Sequence, residues 1–142
     1  MQDGLTVGAT ASISVVVDDS LTVPAVSDRF PRLDTMPRVF ATAYLVGFAE
    51  CAAMAVLHPF LDEGESSVGV KVDFEHTAAT PVGLTVTAQA TLTAIEGRLL
   101  TFEVVLRDDL DEIGRGTHRR AVIDRAKFDA RVAKKADAAG VR

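Results

Sequence analysis

Cysteine is almost absent from this chain. Cys51 is the only one, so no disulfide can staple the chain to itself, and a reducing, cytoplasmic setting is the expectation. Positive charge is also short: 15 Lys and Arg stand against 20 Asp and Glu, a net charge of −5. A surface of that sign disfavours nucleic acid as the main partner, although a few local arginines suffice for a ligand carrying a few phosphates. The three histidines, His58, His76 and His118, are scattered, and beside a lone cysteine they give no metal-ligand spacing. No glycine-rich phosphate loop and no Gly-x-Ser-x-Gly elbow is present. The sequence therefore predicts no metal and no cofactor. Met1-Gln2-Asp3-Gly4 has neither a basic nor an apolar run, so no signal peptide is expected. There is no internal repeat and no low-complexity tract.

What is present suits one globular domain over residues 1–142. Hydrophobic residues make up 48% and charged residues 25%, enough to build a core. The stretch from Ala41 to Leu61 is nearly all apolar, and about 20 such residues can cross a bilayer. Glu50 stands at its middle, where a carboxylate is expensive in lipid, so a buried helix is the expectation and no membrane partner is predicted. Asp34 or Thr35 followed by Pro37 reads as the helix start, and Pro59 as its stop. Because the segment is apolar on nearly every face, protein should wrap it on most sides. Residues from Leu21 to Met36 carry Pro24 and Pro31 with no period and read as a long loop, a lid candidate.

Period-two alternation marks strands at about Val7–Val17, Val68–Thr77, Leu84–Thr93, Leu100–Leu106 and Glu112–Ile123. A polar helix from Arg125 to about Lys135 follows. Short turns between consecutive strands favour antiparallel pairing. One long helix lying in a curved antiparallel sheet is an α+β, hot-dog arrangement. Such a sheet keeps open edges, so pairing with a second copy into a homodimer is expected.

Four residues carry candidate chemistry. Glu50 must pair, take up a proton or face a cavity if it is buried. His76 shares a strand face with Val70, Val72 and Phe74, and beside a carboxylate its imidazole makes an acid–base pair. Thr42 is a polar group on the apolar helix. Gly69, inside a strand pattern, marks a bulge or a close approach of backbone to ligand, and its N–H can serve an oxyanion. His58 at the helix end suits the helix dipole. His118, Arg119 and Arg120 form a basic spot that reads as solvated surface or as a phosphate contact.

At these residues the sequence resembles the fluoroacetyl-CoA thioesterase group of hot-dog proteins. The matching segments are Val39-Phe40-Ala41-Thr42-Ala43, Val46-Gly47 with Glu50, and His76-Thr77-Ala78-Ala79-Thr80-Pro81, running on into Gly83-Leu84-Thr85-Val86-Thr87. Asp111-Glu112-Ile113-Gly114, Gly116-Thr117-His118 and Arg120-Ala121-Val122-Ile123 follow, and Asp3-Gly4 and Val7-Gly8 match at the start. The resemblance implies hydrolysis of a short acyl-CoA thioester. It places the working residues on Thr42, Glu50 and His76, with Gly69 at the acyl end. It also implies lid phenylalanines where this chain has Leu33 and Met36, so the acyl pocket is reshaped and another short acyl group is an option. Arg120, or its neighbour Arg119, would meet the CoA phosphates. A hot-dog dehydratase and a non-catalytic acyl-CoA binder are the alternatives.

Geometry limits how these residues can cooperate. Eight residues of helix separate Thr42 from Glu50 by about 12 Å along the axis. Either the helix starts later than expected, or the site combines residues of two subunits at the dimer interface.

Overall fold

The computed structural model describes residues 1–141. In chain order the elements are β1 (Thr10–Val16), α1 (Thr42–Leu57), β2 (Glu65–His76), β3 (Thr85–Glu96), β4 (Leu99–Arg107), β5 (Glu112–Asp124) and α2 (Arg125–Ala138). The strands form one antiparallel five-stranded sheet in the order β1-β3-β4-β5-β2. β2 is therefore an edge strand.

The alternation read from the sequence is the alternation of burial. Val86, Ala88, Ala90 and Leu92 of β3, with Leu100, Phe102, Val104 and Leu106 of β4, are fully buried on one face. α1 lies on that face and buries Leu45, Ala49, Ala52, Ala53, Val56 and Leu57. Its alanines put no bulk between helix and sheet, so the two layers approach closely, and each fully buried leucine contributes roughly 1.5–3 kcal/mol. The segment Thr42–Phe60 meets the length and composition of a membrane span, yet its buried residues, from Leu45 to Leu57, form the floor of this core.

Two expectations about α1 change. It begins at Thr42, not near Asp34. The backbone of Val39–Ala41 is engaged elsewhere: Phe40 N–H donates to the Thr80 carbonyl, Ala41 N–H to Leu21, and Val39 accepts from Val23 N–H. Those bonds hold the chain extended up to Ala41, and a 3-10 turn at Leu33–Thr35 takes the place of the expected first helical turn. Nor does the chain wrap the helix on most sides, because Ala43, Cys51 and Ala55 form an uncovered stripe. Residues 17–41 run as a long loop with three 3-10 turns, tied across by the Arg38–Asp19 ion pair.

β2 carries the feature that shapes the site. Its pairing with β5 shifts register between Gly69 and Lys71, a bulge that spends Val70 as an extra residue. The expected single face of Val70, Val72, Phe74 and His76 is thereby broken. Gly69 pairs with Arg120 and Val72 with His118, so Gly69 joins Val72, Phe74 and His76 on the helix-facing side. On β5, Gly116 and Gly114 lie beneath Phe74 and His76. A Cβ at Gly116 would stand 2.0 Å from the Asp73 carbonyl, and one at Gly114 2.6 Å from that of Glu75. Only glycine lets the end of β2 lie this close.

Candidate active site

The candidate residues fall into two groups, at the two ends of one helical segment. At the first, Thr42 is the opening residue of α1 and His76 the closing residue of β2. Thr42 Oγ1 lies 2.8 Å from His76 Nδ1, within reach of a nucleophile–base contact. Burial holds the His76 pKa below the ordinary imidazole value of 6.5. The ring is therefore neutral at pH 7 and able to accept a proton. Its Nε2 is buried and has no partner among the described residues. The N–H groups of Thr42, Ala43 and Tyr44 start the helix, and no side chain caps them, which leaves the positive end of the helix dipole beside Thr42. A cleft of about 280 Å³ opens here, lined by Val23, Phe40, Thr42, His76 and Ala78 among others.

The second group gathers around Gly69. Glu50 is half-buried, with a third of its side chain exposed, and its Oε1 lies 3.4 Å from Arg120 Nη1 and 3.8 Å from His118 Nε2. A Cβ placed on Gly69 would meet Glu50 Oε1 at 2.5 Å, His118 Cε1 at 3.2 Å and Arg120 Nη1 at 3.5 Å. Three side chains thus converge on a position where an added Cβ would displace the Glu50 carboxylate. Arg120 is fixed from behind: its Nε donates to Ser67 Oγ at 2.9 Å and its Nη2 to the Ser67 carbonyl at 3.0 Å. Ser67 Oγ lies 2.9 Å from His58 Nε2.

Several expectations need correction against this geometry. Arg120 is not a surface contact for CoA phosphates. It is 5% exposed, points inward, and spends its donors on Ser67 and Glu50. Arg119 takes the outward position and pairs with Glu96. His118 is no solvated basic spot; it is completely buried. His58 does more than meet the helix dipole, since it lies in the turn after α1 and pairs with Ser67. Leu33 and Met36 sit on the lid, Met36 being 43% exposed, and neither lines the cleft at Thr42 and His76. The structure brings Thr42 to His76 and Glu50 to Gly69 and Arg120. It does not bring Glu50 to His76 within one chain, and the later helix start is no remedy, because every residue from Thr42 to Glu50 is still helical.

Ser67, His118, Gly114 and Gly116 are the positions that sequence reasoning undervalued. A signal existed: Gly116, His118, Arg120 and Val122 share one parity in β5, the parity that turned out to face the core. Among the described residues no cluster of His, Cys, Asp and Glu could hold a metal. The larger groove of about 1000 Å³, between α2 and the ends of β2 and β5, is lined by Glu63, Arg98, Arg125 and other charged residues and contains none of the candidate catalytic groups.

Against known proteins, the family profile described as fluoroacetyl-CoA-specific thioesterase matches residues 17–126. The chain belongs to the fluoroacetyl-CoA thioesterase family. A fluoroacetyl-CoA thioesterase of Streptantibioticus cattleyicolor is 44% identical over 138 residues, covering 97% of this chain and 99% of that protein. A solved structure of the fluoroacetyl-CoA thioesterase superposes with a TM-score of 0.91 at 44% identity, covering 94% of this chain and 98% of the other. A thioesterase superfamily member from Thermus thermophilus matches at 29% identity with a TM-score of 0.85, over 96% and 99% of the two chains. A hot-dog-like protein from Thermanaerovibrio acidaminovorans matches at 25% with a TM-score of 0.78, over 91% of each chain. The single antiparallel sheet with one long helix is thus the hot-dog architecture of this thioesterase family.

Proposed function

We propose that this chain hydrolyses a short acyl-CoA thioester to the free acid and CoA, at a site completed by a second copy of itself. The observation that carries the reading is the split site: a hydroxyl–imidazole pair with an unpartnered Nε2 at one place, and a carboxylate poised over an open glycine at another. Thioester hydrolysis needs a nucleophile, a proton manager and an oxyanion donor. Thr42 and His76 supply the first two, as hydroxyl and neutral base. The N–H beside Gly69 is the oxyanion donor, and Glu50 receives the Nε2 proton of His76 or activates water. The relatives support the substrate class, since one of the matched structures is a threonine-to-serine variant of the fluoroacetyl-CoA thioesterase in complex with acetyl-CoA.

The edge strand suggests how two copies meet. Lys71, Val72 and Asp73 are exposed on β2, and neither Lys71 nor Asp73 has an ion-pair partner among the described residues. A two-fold axis through Val72 sets the two β2 edges antiparallel and places each Lys71 across from Asp73 of the other copy, a favourable cross-strand pair. In that register Gly69 faces the second copy's Phe74, and the bulge turns Gly69 to the same side as the second copy's His76. Glu50, above Gly69, then approaches that His76. The same pairing continues the sheet and covers the open stripe of α1, which also keeps this apolar helix within protein in a soluble, cytoplasmic enzyme.

Leu33 and the flexible Met36 make a more adaptable cover than rigid aromatics would, so acetyl- and propionyl-CoA are accepted alongside fluoroacetyl-CoA. A thiol-release screen over these three esters and longer ones tests the activity. Glu50→Gln and His76→Ala should each lower turnover by about 10²-fold or more. Near-normal rates in both variants would remove the mechanism, and water release without free thiol would indicate a dehydratase instead.

A further inference from the structure

We propose that His118 is a positioning residue that aims Arg120 at Glu50 and pins the β2 bulge beneath Gly69. The inference rests on the thioesterase reading for its kinetic consequence and on geometry alone for the contacts.

His118 is completely buried, and both of its ring nitrogens are committed. Nδ1 lies 2.7 Å from the carbonyl of Lys71, an acceptor only, so Nδ1 carries the proton and donates it. Nε2 is then the acceptor, and it faces Arg120 Nη1 at 3.2 Å, a donor that never gives up its charge. The two contacts fix one tautomer without ambiguity. Burial, the leading influence, lowers the His118 pKa, and the nearby Arg120 charge adds to it, so the acceptor lone pair is present at pH 7.

These two bonds join the parts of the second group. Lys71 is the first paired residue after the bulge that carries Gly69. Arg120 Nη1 is the atom that also reaches Glu50 Oε1. His118 Cε1 itself stands 3.2 Å from the position a Gly69 Cβ would take. The ring therefore sits between oxyanion donor, guanidinium and carboxylate and touches the supports of all three. It does not reach the cleft, so its role is to position. Ser67 holds the Nε–Nη2 edge of the planar guanidinium, and His118 holds the remaining nitrogen, Nη1, the one shared with Glu50.

Three variants separate the two bonds. His118→Gln keeps an acceptor near the Nε2 position, His118→Asn keeps a donor near the Nδ1 position, and His118→Leu removes both. With acyl-CoA as substrate, His118→Leu should lose about 10-fold or more in kcat, with KM within about twofold, as expected for a displaced catalytic group. His118→Gln should recover most of that loss, and His118→Asn less. A purely structural histidine would instead lower Tm in all three and leave the kcat of the folded enzyme alone. The second readout is the N–H spectrum of Arg120, in which rotation about the Cζ–Nη1 bond should be slower in wild type and His118→Gln than in His118→Leu, the Ser67-bound edge being unchanged. Should the leucine variant not fold, the order of Gln above Asn in kcat carries the test. Wild-type kcat in His118→Leu, a glutamine variant no faster than asparagine, or Arg120 rotation indifferent to position 118 would each overturn the proposal. A wild-type enzyme that releases no thiol from any CoA ester would sink the functional reading, and the Arg120 spectrum would still decide the positioning role.

Discussion

Replacing Gly69 by alanine separates activity from folding more cleanly than any other single change. The added Cβ would stand 2.5 Å from Glu50 Oε1, while ordinary contact begins near 3.4 Å, so the carboxylate must retreat by about 0.9 Å. It is the far end of a flexible, partly exposed side chain, and the move costs the fold little. The His118 ring is less free, because its contact at 3.2 Å has to open against the bond to Lys71. Stability should therefore fall by about 1 kcal/mol, a drop of roughly 3–6 °C in Tm for a chain of this size. Turnover should fall much further. A displacement near 1 Å at a reacting group is worth about 10²-fold in rate, and the methyl also crowds the N–H assigned to the oxyanion. Thiol release at saturating acyl-CoA and a calorimetric scan on the same preparation give both numbers. Gly69→Ala with wild-type kcat would refute the placement of the reaction at this glycine, whatever its Tm.

Other perturbations have equally definite outcomes. Thr42→Val keeps the shape and removes the hydroxyl that meets His76 at 2.8 Å; kcat should fall about 10²-fold while Thr42→Ser retains most of it, and activity in the valine variant would exclude the hydroxyl–imidazole pair. All three histidines have pKa values lowered from 6.5, each chiefly by burial, so the unfolded chain binds more protons than the folded one below that pH. Stability is then full above about pH 6.5 and is lost as pH falls through the lowered values; Tm should drop between pH 7.5 and 5.5, more gently in His118→Gln, and a flat profile would contradict the burial argument. Lys71→Asp sets acids opposite acids across the proposed two-fold axis and should weaken the dimer in sedimentation, while Lys71→Asp with Asp73→Lys restores it. An unaffected dimer in the single variant would place the interface elsewhere.

The strand pattern was readable because burial on one side of a sheet writes itself as period two: Val86 to Leu92 and Leu100 to Leu106 gave two strands and their inner face directly. The start of α1 was not readable. Helix-start signals at Asp34, Thr35 and Pro37 are local, and they lost to backbone bonds made with Leu21, Val23 and Thr80, distant in sequence. Candidate chemistry at Thr42, Glu50, Gly69 and His76 was visible from residue type and setting. Their grouping was hidden by one bulge: inserting Val70 moved Gly69 to the side of His76, and no alternation rule places such an insertion. Arg120 and His118 were misjudged because charge suggests a surface, whereas the partners that make burial tolerable, Ser67 and the Lys71 carbonyl, come from another strand.

The claim that the site is shared between two copies has one direct test, mixing two inactive variants. His76→Ala and Glu50→Gln are purified separately, unfolded together and refolded. If His76 of one copy works with Glu50 of the other, half of the dimers are mixed, and each mixed dimer has one site with both residues intact and one with neither, so activity returns to about a quarter of wild type. If both residues act within a single chain, no combination contains an intact site, and the mixture stays as inactive as its components.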